Sequence, residues 1–280
     1  AGRRAISSIS ETSQWISRYI PKENTSERLL NKKVISRNLS IHTADNLKTY
    51  NNTTLIGQYI LDADGVTPDD GLNIIENGVL KNVLSNRIPT FTSKSSNGHQ
   101  RIGFQHNSIS TALAPGVVMM TADKKGGFVL PFDKMKKKLI ELAKEEDYEY
   151  AYMVVKLPVS MANIPGMSIY FGNEGYVRPI IIYRINVKDG SETLVRTTKM
   201  AYLKMKSFKH VSYVSKEMEP FNRMVNGKGG SFYGYDEYKL VGVPVSYILP
   251  KAIIFKELEV EKDDDILKLK EPLVPNPLKK

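Results

Sequence analysis

Apolar positions in this chain follow a helical period at the start and a strand-like one over most of its length. In SISETSQWISRYIP, Ile9, Ile16 and Ile20 lie near one face, which predicts a helix closed by Pro21. KENTSERLLNKK is polar and reads as a linker or short helix. From Val34 the apolar runs shorten to VISRNLSIH, LIGQYILDADG and GLNIIENGVLKNVLSNR, strand-like stretches separated by turn residues. Asp64-Gly65 and Asn77-Gly78 favour the positive φ of tight primed turns, so IIENGVLKNVL predicts a hairpin with Asn77-Gly78 at its tip. A glycine- and serine-containing loop around 93–103 precedes the apolar run ISTALAPGVVMMTAD. A helix is then expected over KMKKKLIELAKEED, with Asp133 as N-cap and Met135, Leu139 and Leu142 on its apolar face. Its terminal acids oppose the helix dipole, so packing must hold it. The remaining runs, YEYAYMVVKLPV, YVRPIIIYRINVKDG, ETLVRTTKMAYLKM, HVSYVSKEME and VPVSYILPKAIIFKELEVEK, read as strands, with a turn at KDGSE. The pattern predicts an α+β fold, β-rich, of mostly antiparallel strands with few helices. It divides into an N-terminal helix and linker (1–33), a main domain (34–270) and a proline-rich tail (271–280).

With 280 residues, 41% of them hydrophobic, the chain can bury a real core. Its longest apolar stretches, PIIIYRI and VPVSYILPKAIIF, are interrupted well short of the ~20 residues that span a bilayer, so no membrane segment is expected. AGRRAISS lacks the apolar core of a signal peptide, and an initial Ala fits a processed chain or the downstream part of a longer one. The absence of cysteine excludes disulfides, thiolate ligands and thiol nucleophiles, and leaves the compartment open. Forty Lys and Arg against thirty Asp and Glu give a formal charge of +10, which invites a nucleic-acid reading. The densest basic run, Lys134 to Lys138, shares its helix with an acidic run. A solvated face is therefore favoured there over a nucleic-acid patch or a site for an acidic protein.

None of His42, His99, His106 or His210 is followed by Glu, and no pair has the helical spacing of a zinc peptidase, so a zinc site made from this chain alone is not expected. There is no GxSxG and no GxxxxGK[ST]; NGKGGSFYG at 226–234 precedes strand texture and reads as a loop. Asp62 and Asp64 are spaced like the start of a calcium loop, but the later ligands are missing, and a turn is the better reading.

Four segments occur in order: GQYILDADGVTPDDGLNIIENGVLKNVLSNR, SNGHQR, YRINVKDGSETLVR and VPVSYILPKAIIFKELEVEK, the last followed by PLVPNP. Together they resemble the C-terminal half of the TldD/PmbA family, known as modulators of DNA gyrase and as peptide-processing metalloproteases. The resemblance implies a β-rich C-terminal domain, an upstream helix bearing HExxxH, and a bacterial, cytoplasmic assembly of two subunits around a cavity where a peptide is cut. The periplasm or envelope is the other compartment considered. In SNGHQR, it implies that Asn97, His99 and Arg101 line the cavity and hydrogen-bond a peptide or partner. A turn at Asn97-Gly98 with His99 merely exposed is the alternative.

The departures are as informative. The family's zinc helix would fall near residues 5–14, which read AISSISETSQ, and Glu11 is the one acid there. The third ligand, a Cys, would fall near YGYDEYKLVG, and the segment after SNGHQR, HNSISTALAPG, has also drifted. These features imply a family-like protein without its zinc ligands and so without a cofactor: a non-catalytic, peptide-binding or partner subunit of a homo- or heterodimer. Two alternatives stay open. One is an active metallopeptidase whose ligands come from an upstream segment or a partner; the other is a gyrase modulator that binds protein or DNA.

Overall fold

The computed structural model describes residues 27–69, 71–89, 92–104, 109–123, 127–157, 176–195, 198–201, 203–225 and 242–263. The helix expected between residues 8 and 21, the loop at 226–234 and the proline-rich tail lie outside the described residues. The chain forms two compact units, Ala1–Met135 with Leu203–Lys256, and Lys136–Tyr202 with Glu257–Lys280.

The first unit opens with a single 3-10 turn, Glu27–Leu29, within the stretch read as linker or short helix. Nine strands follow: β1 (Leu39–Thr43), β2 (Thr49–Tyr50), β3 (Thr53–Thr54), β4 (Asn73–Glu76), β5 (Val79–Leu80), β6 (Gln100–Phe104), β7 (Ile109–Leu113), β8 (Val117–Ala122) and β9 (Val129–Leu130). Helix α1 (Phe132–Glu145) leads to β10 (Tyr150–Lys156), β11 (Tyr176–Val177), β12 (Ile181–Asn186), β13 (Glu192–Val195) and β14 (Thr198–Ala201). A 3-10 helix, Met205–His210, precedes β15 (Val211–Ser215), β16 (Met218–Val225), β17 (Val243–Pro250) and β18 (Ile253–Phe255), and β19 (Val260–Lys262) closes the series. The β-rich α+β reading holds, with antiparallel pairing throughout except at β8–β17 and β9–β15. No helix among the described residues is long and apolar enough to cross a membrane.

The main sheet of the first unit runs β16-β17-β8-β1-β4-β5. Its core gathers Leu39, Ile74, Leu80, Leu84 and Val214, all fully buried, with Val34 and Ile35. The β4–β5 hairpin turns at Asn77-Gly78 as expected, both residues at positive φ (47° and 78°). LIGQYILDADG, by contrast, forms no strand. Leu55 and Gly57 are buried while Ile56, Ile60 and Leu61 are exposed, because side-chain and loop bonds, not a ladder, hold this stretch. Asp64-Gly65 makes the expected turn, with Gly65 at φ 73°, but not a hairpin.

Half-buried His42 on β1 has its pKa pulled below the ordinary 6.5 by burial. As pH falls through 6.5 the unfolded chain binds this proton before the folded one does, so folding weakens on acidification. His42→Asn is expected to flatten the pH dependence of the unfolding free energy just below 6.5, as urea titrations at a series of pH values would check. An unchanged slope would assign that dependence to other groups.

In the second unit, α1 covers the sheet β10-β12-β13 through Leu139, Ile140 and Ala143, packed on Ala151, Ile185 and Val187. The helix starts one residue before Asp133, so Asp133 is a first-turn acid and not the N-cap; the Phe132 N–H donates instead to Glu217 Oε2 at 2.8 Å. Within the basic run, Lys136 pairs with Glu192 at 2.6 Å and Lys138 with Glu141 at 3.2 Å. In the sheet β11-β14-β19, the Tyr176 hydroxyl donates to Glu259 at 3.0 Å and Glu261 at 3.2 Å, and those bonds push its pKa up to about 12.

Candidate functional site

The SNGHQR segment enters β6 from beneath the loop that follows β1, which buries residues expected to face a cavity. His99 is 0% exposed and both its ring nitrogens are engaged, Nδ1 with Asn97 Oδ1 at 3.0 Å and Nε2 with Asp45 Oδ2 at 3.1 Å. The alternative of an exposed His99 is therefore wrong on exposure: the positive φ of Gly98 (75°) turns the chain inward at that point. Asn97 is an organiser of the same loop. Its Oδ1 accepts the Ser85 N–H at 2.7 Å, and its side-chain amide donates to the Val83 carbonyl at 2.9 Å.

Asp45, also 0% exposed, is the centre of the arrangement. Its Oδ1 accepts the backbone N–H groups of Gly116 and Val117 at 2.7 and 2.9 Å, leaving Oδ2 for the imidazole. A buried carboxylate costs several kcal/mol in lost hydration unless such charge-assisted bonds replace the water. Three bonds do so here.

Arg101 is 6% exposed and lies flat on Tyr59, its guanidinium carbon 3.8 Å from the ring centroid. It donates to the carbonyls of Gly57 at 3.1 Å and Pro244 at 3.4 Å. Burial lowers the Arg101 pKa, with Tyr59 and Asp45 acting against that. Burial likewise holds the Tyr59 phenol well above its ordinary range, reinforced by Asp45, so Tyr59 is neutral and donates to the Gly98 carbonyl at 2.7 Å.

The same loops meet at two glycines. The Gly57 N–H donates to Ser246 Oγ at 2.9 Å, Ser246 Oγ reaches Asn222 Oδ1 at 2.6 Å, and the Ser246 N–H donates to the Gly116 carbonyl at 2.8 Å. A Cβ on Gly57 would lie 2.0 Å from the Gly116 oxygen, so only glycine allows this approach. Asp62 closes the group as the expected turn, not a calcium ligand. Its Oδ1 accepts the N–H groups of Asp64 and Val66, and its Oδ2 that of Gln100.

The structure thus unites Asn97, His99 and Arg101 with Asp45, Gly57, Tyr59, Gly116 and Ser246. GQY contained two of them, but Asp45 sits in an unpatterned polar stretch. The zinc implied by the resemblance finds no ligand set here: among the described residues no group of three or more His, Cys, Asp or Glu is placed to hold a metal. His42 lies on β1 and His210 at the end of the 3-10 helix, while His106, residues 5–14 and most of YGYDEYKLVG lie outside the described residues.

Chemically, a histidine with both nitrogens bonded and an arginine held between carbonyls and a ring fix the course of the backbone around them. Beside them, β6 and β7 form a two-stranded ribbon with Ile102 and Ile109 exposed on it.

No family model matches the sequence, and no curated protein matches it either. Solved structures do. TldE from Thermococcus kodakarensis superposes with a TM-score of 0.51 at 14% identity, over 94% of this chain and 46% of that one. A candidate modulator of a DNA gyrase from Thermotoga maritima superposes with a TM-score of 0.50 at 16% identity, over 83% of this chain and 41% of that one. The chain spans less than half the length of either protein. At such identities the likeness is one of fold, and the fold of this chain is that of TldD/PmbA-type proteins.

Proposed function

We propose that this chain is a non-catalytic, cytoplasmic TldD/PmbA-like subunit that pairs with a second such subunit and holds an extended peptide without cutting it. The observation that carries the reading is the enclosure of His99: it is fully buried, with its ring nitrogens 3.0 Å from Asn97 Oδ1 and 3.1 Å from Asp45 Oδ2, so neither faces an open position that a metal or a peptide could reach. The sequence at the family's ligand positions agrees, with AISSISETSQ in place of HExxxH and no Cys. The β6–β7 ribbon supplies a place for a peptide, since an added strand gains main-chain hydrogen bonds with little demand on side chains.

The test is metal content by mass spectrometry after purification without chelator and exposure to zinc, together with mass in solution and cleavage of an unfolded peptide. Less than about a tenth of an equivalent of tightly held zinc, a dimeric mass and no cleavage are expected. Near-stoichiometric zinc that survives dialysis, or cleavage abolished by chelator, would instead support an active metallopeptidase with ligands outside the described residues.

A further inference from the structure

The excess positive charge of the chain is not shared between its units. The unit Ala1–Met135 with Leu203–Lys256 carries 25 Lys and Arg against 15 Asp and Glu, whereas the other carries 15 of each. The whole +10 therefore belongs to the first unit, away from most of the basic run on α1. Part of it converges on one face.

The 3-10 helix Met205–His210 turns Met205 and Phe208 toward the core. Side chains three apart eclipse in a 3-10 helix, so Lys206 and Lys209 share the opposite, exposed edge, and exposed Lys204 precedes them. The Ser36 N–H donates to the Phe208 carbonyl at 2.9 Å, which brings exposed Arg37 alongside Lys209. Lys33, exposed at the other end of the buried run Val34 to Ser36, lies instead beside Val79 of β5. None of the face's four cations has an ion-pair partner among the described residues. Asp123, whose N–H bonds the Asn38 carbonyl, and Glu27, in the 3-10 turn before Lys33, are acids of the same segments, and Glu257 follows Lys256 in sequence.

We infer that this face docks the phosphate backbone of a nucleic-acid duplex. Three chemistries accept such a face, and two fit less well. A membrane surface needs apolar anchors beside the lysines, but no large hydrophobic of residues 27–37 or 203–210 is exposed. Protein interfaces are depleted of lysine and centred on apolar or aromatic side chains, which this face also lacks. A phosphate backbone takes point charges without anchors, through wet and sequence-independent contacts.

The experiment is fluorescence anisotropy of the full chain with a labelled DNA duplex of about 25 base pairs over a salt series from about 50 mM to about 200 mM. Log affinity is expected to fall against log salt with a slope of about −3 to −4, for about four phosphate contacts. Lys206→Glu with Lys209→Glu should weaken binding at least about tenfold and reduce the slope by about two, and Arg37→Glu, on a different segment, should shift both in the same direction. Lys137→Glu with Lys144→Glu, exposed on α1, should change affinity less than about twofold. The inference is overturned by equal loss in the patch and α1 variants, by no binding at about 50 mM salt, or by tighter binding to anionic phospholipid vesicles or polyglutamate than to the duplex. Matching thermal melting of every variant and the wild type keeps the comparison one of charge.

Discussion

Replacing Asp45 with alanine is expected to lower the unfolding free energy by about 3–5 kcal/mol, because it leaves several buried hydrogen-bonding groups without their acceptor at once. The loss has identifiable parts. The Gly116 and Val117 N–H groups would be stranded out of water, and each orphaned donor costs about 1–3 kcal/mol. His99, fully buried, would lose the acceptor at its Nε2. Asp45→Asn keeps the shape but turns an amide N–H₂ toward groups that already donate, so it should recover only part of the loss. Denaturant midpoints of Asp45→Ala, His99→Gln and the double variant give a cycle, with a coupling of at least about 1 kcal/mol expected for groups in one network. If Asp45→Ala stays within about 1 kcal/mol of wild type, the loop is not held by this carboxylate.

The second large effect is steric. A methyl group at Gly57 would meet the Gly116 carbonyl oxygen at 2.0 Å and the Ser246 nitrogen at 2.6 Å, both backbone atoms that cannot swing aside. Gly57→Ala should cost about 3 kcal/mol, the upper part of the usual overpacking range. Gly116→Ala meets the same crossing from the other side, with the Gly57 oxygen at 2.4 Å and Asp45 Oδ1 at 2.7 Å. The comparison is Gly65→Ala, where nothing lies within 4 Å and only the positive φ is penalised, by about 1 kcal/mol. Melting curves that rank Gly57→Ala no worse than Gly65→Ala would mean that the crossing yields and does not set the loop geometry.

What the sequence makes legible follows the reach of its signals. The hairpin at Asn77-Gly78 is encoded by two adjacent residues and stands where expected. The strands from VISRNLSIH to VPVSYILPKAIIF are visible because alternation is a local property. LIGQYIL misleads for the same reason: its apolar residues look like a strand, but Tyr59 and Gly57 spend their bonds on Gly98 and Ser246. SNGHQR could be noticed through its resemblance to a family segment. Its principal partner could not, because Asp45 lies 54 positions before His99 and no spacing rule links them. An N-cap assignment two residues late, at Asp133, reflects a competing acceptor, Glu217, that comes from the distant bend between β15 and β16.

The parallel pairing of β8 with β17 also sets the order in which this chain can fold. Val117 finds its neighbour Ser246 only after the intervening β10–β14 segment has been made, so β8 waits with an open edge while synthesis continues. Closing so long a loop is entropically slow, and an unpaired strand edge is a template for pairing with other chains. The fully buried Val117 and Ile248 would face solvent or a wrong partner during that interval. For this protein the hazard of aggregation is therefore greatest in the nascent chain, before residues 243–250 arrive to close the sheet.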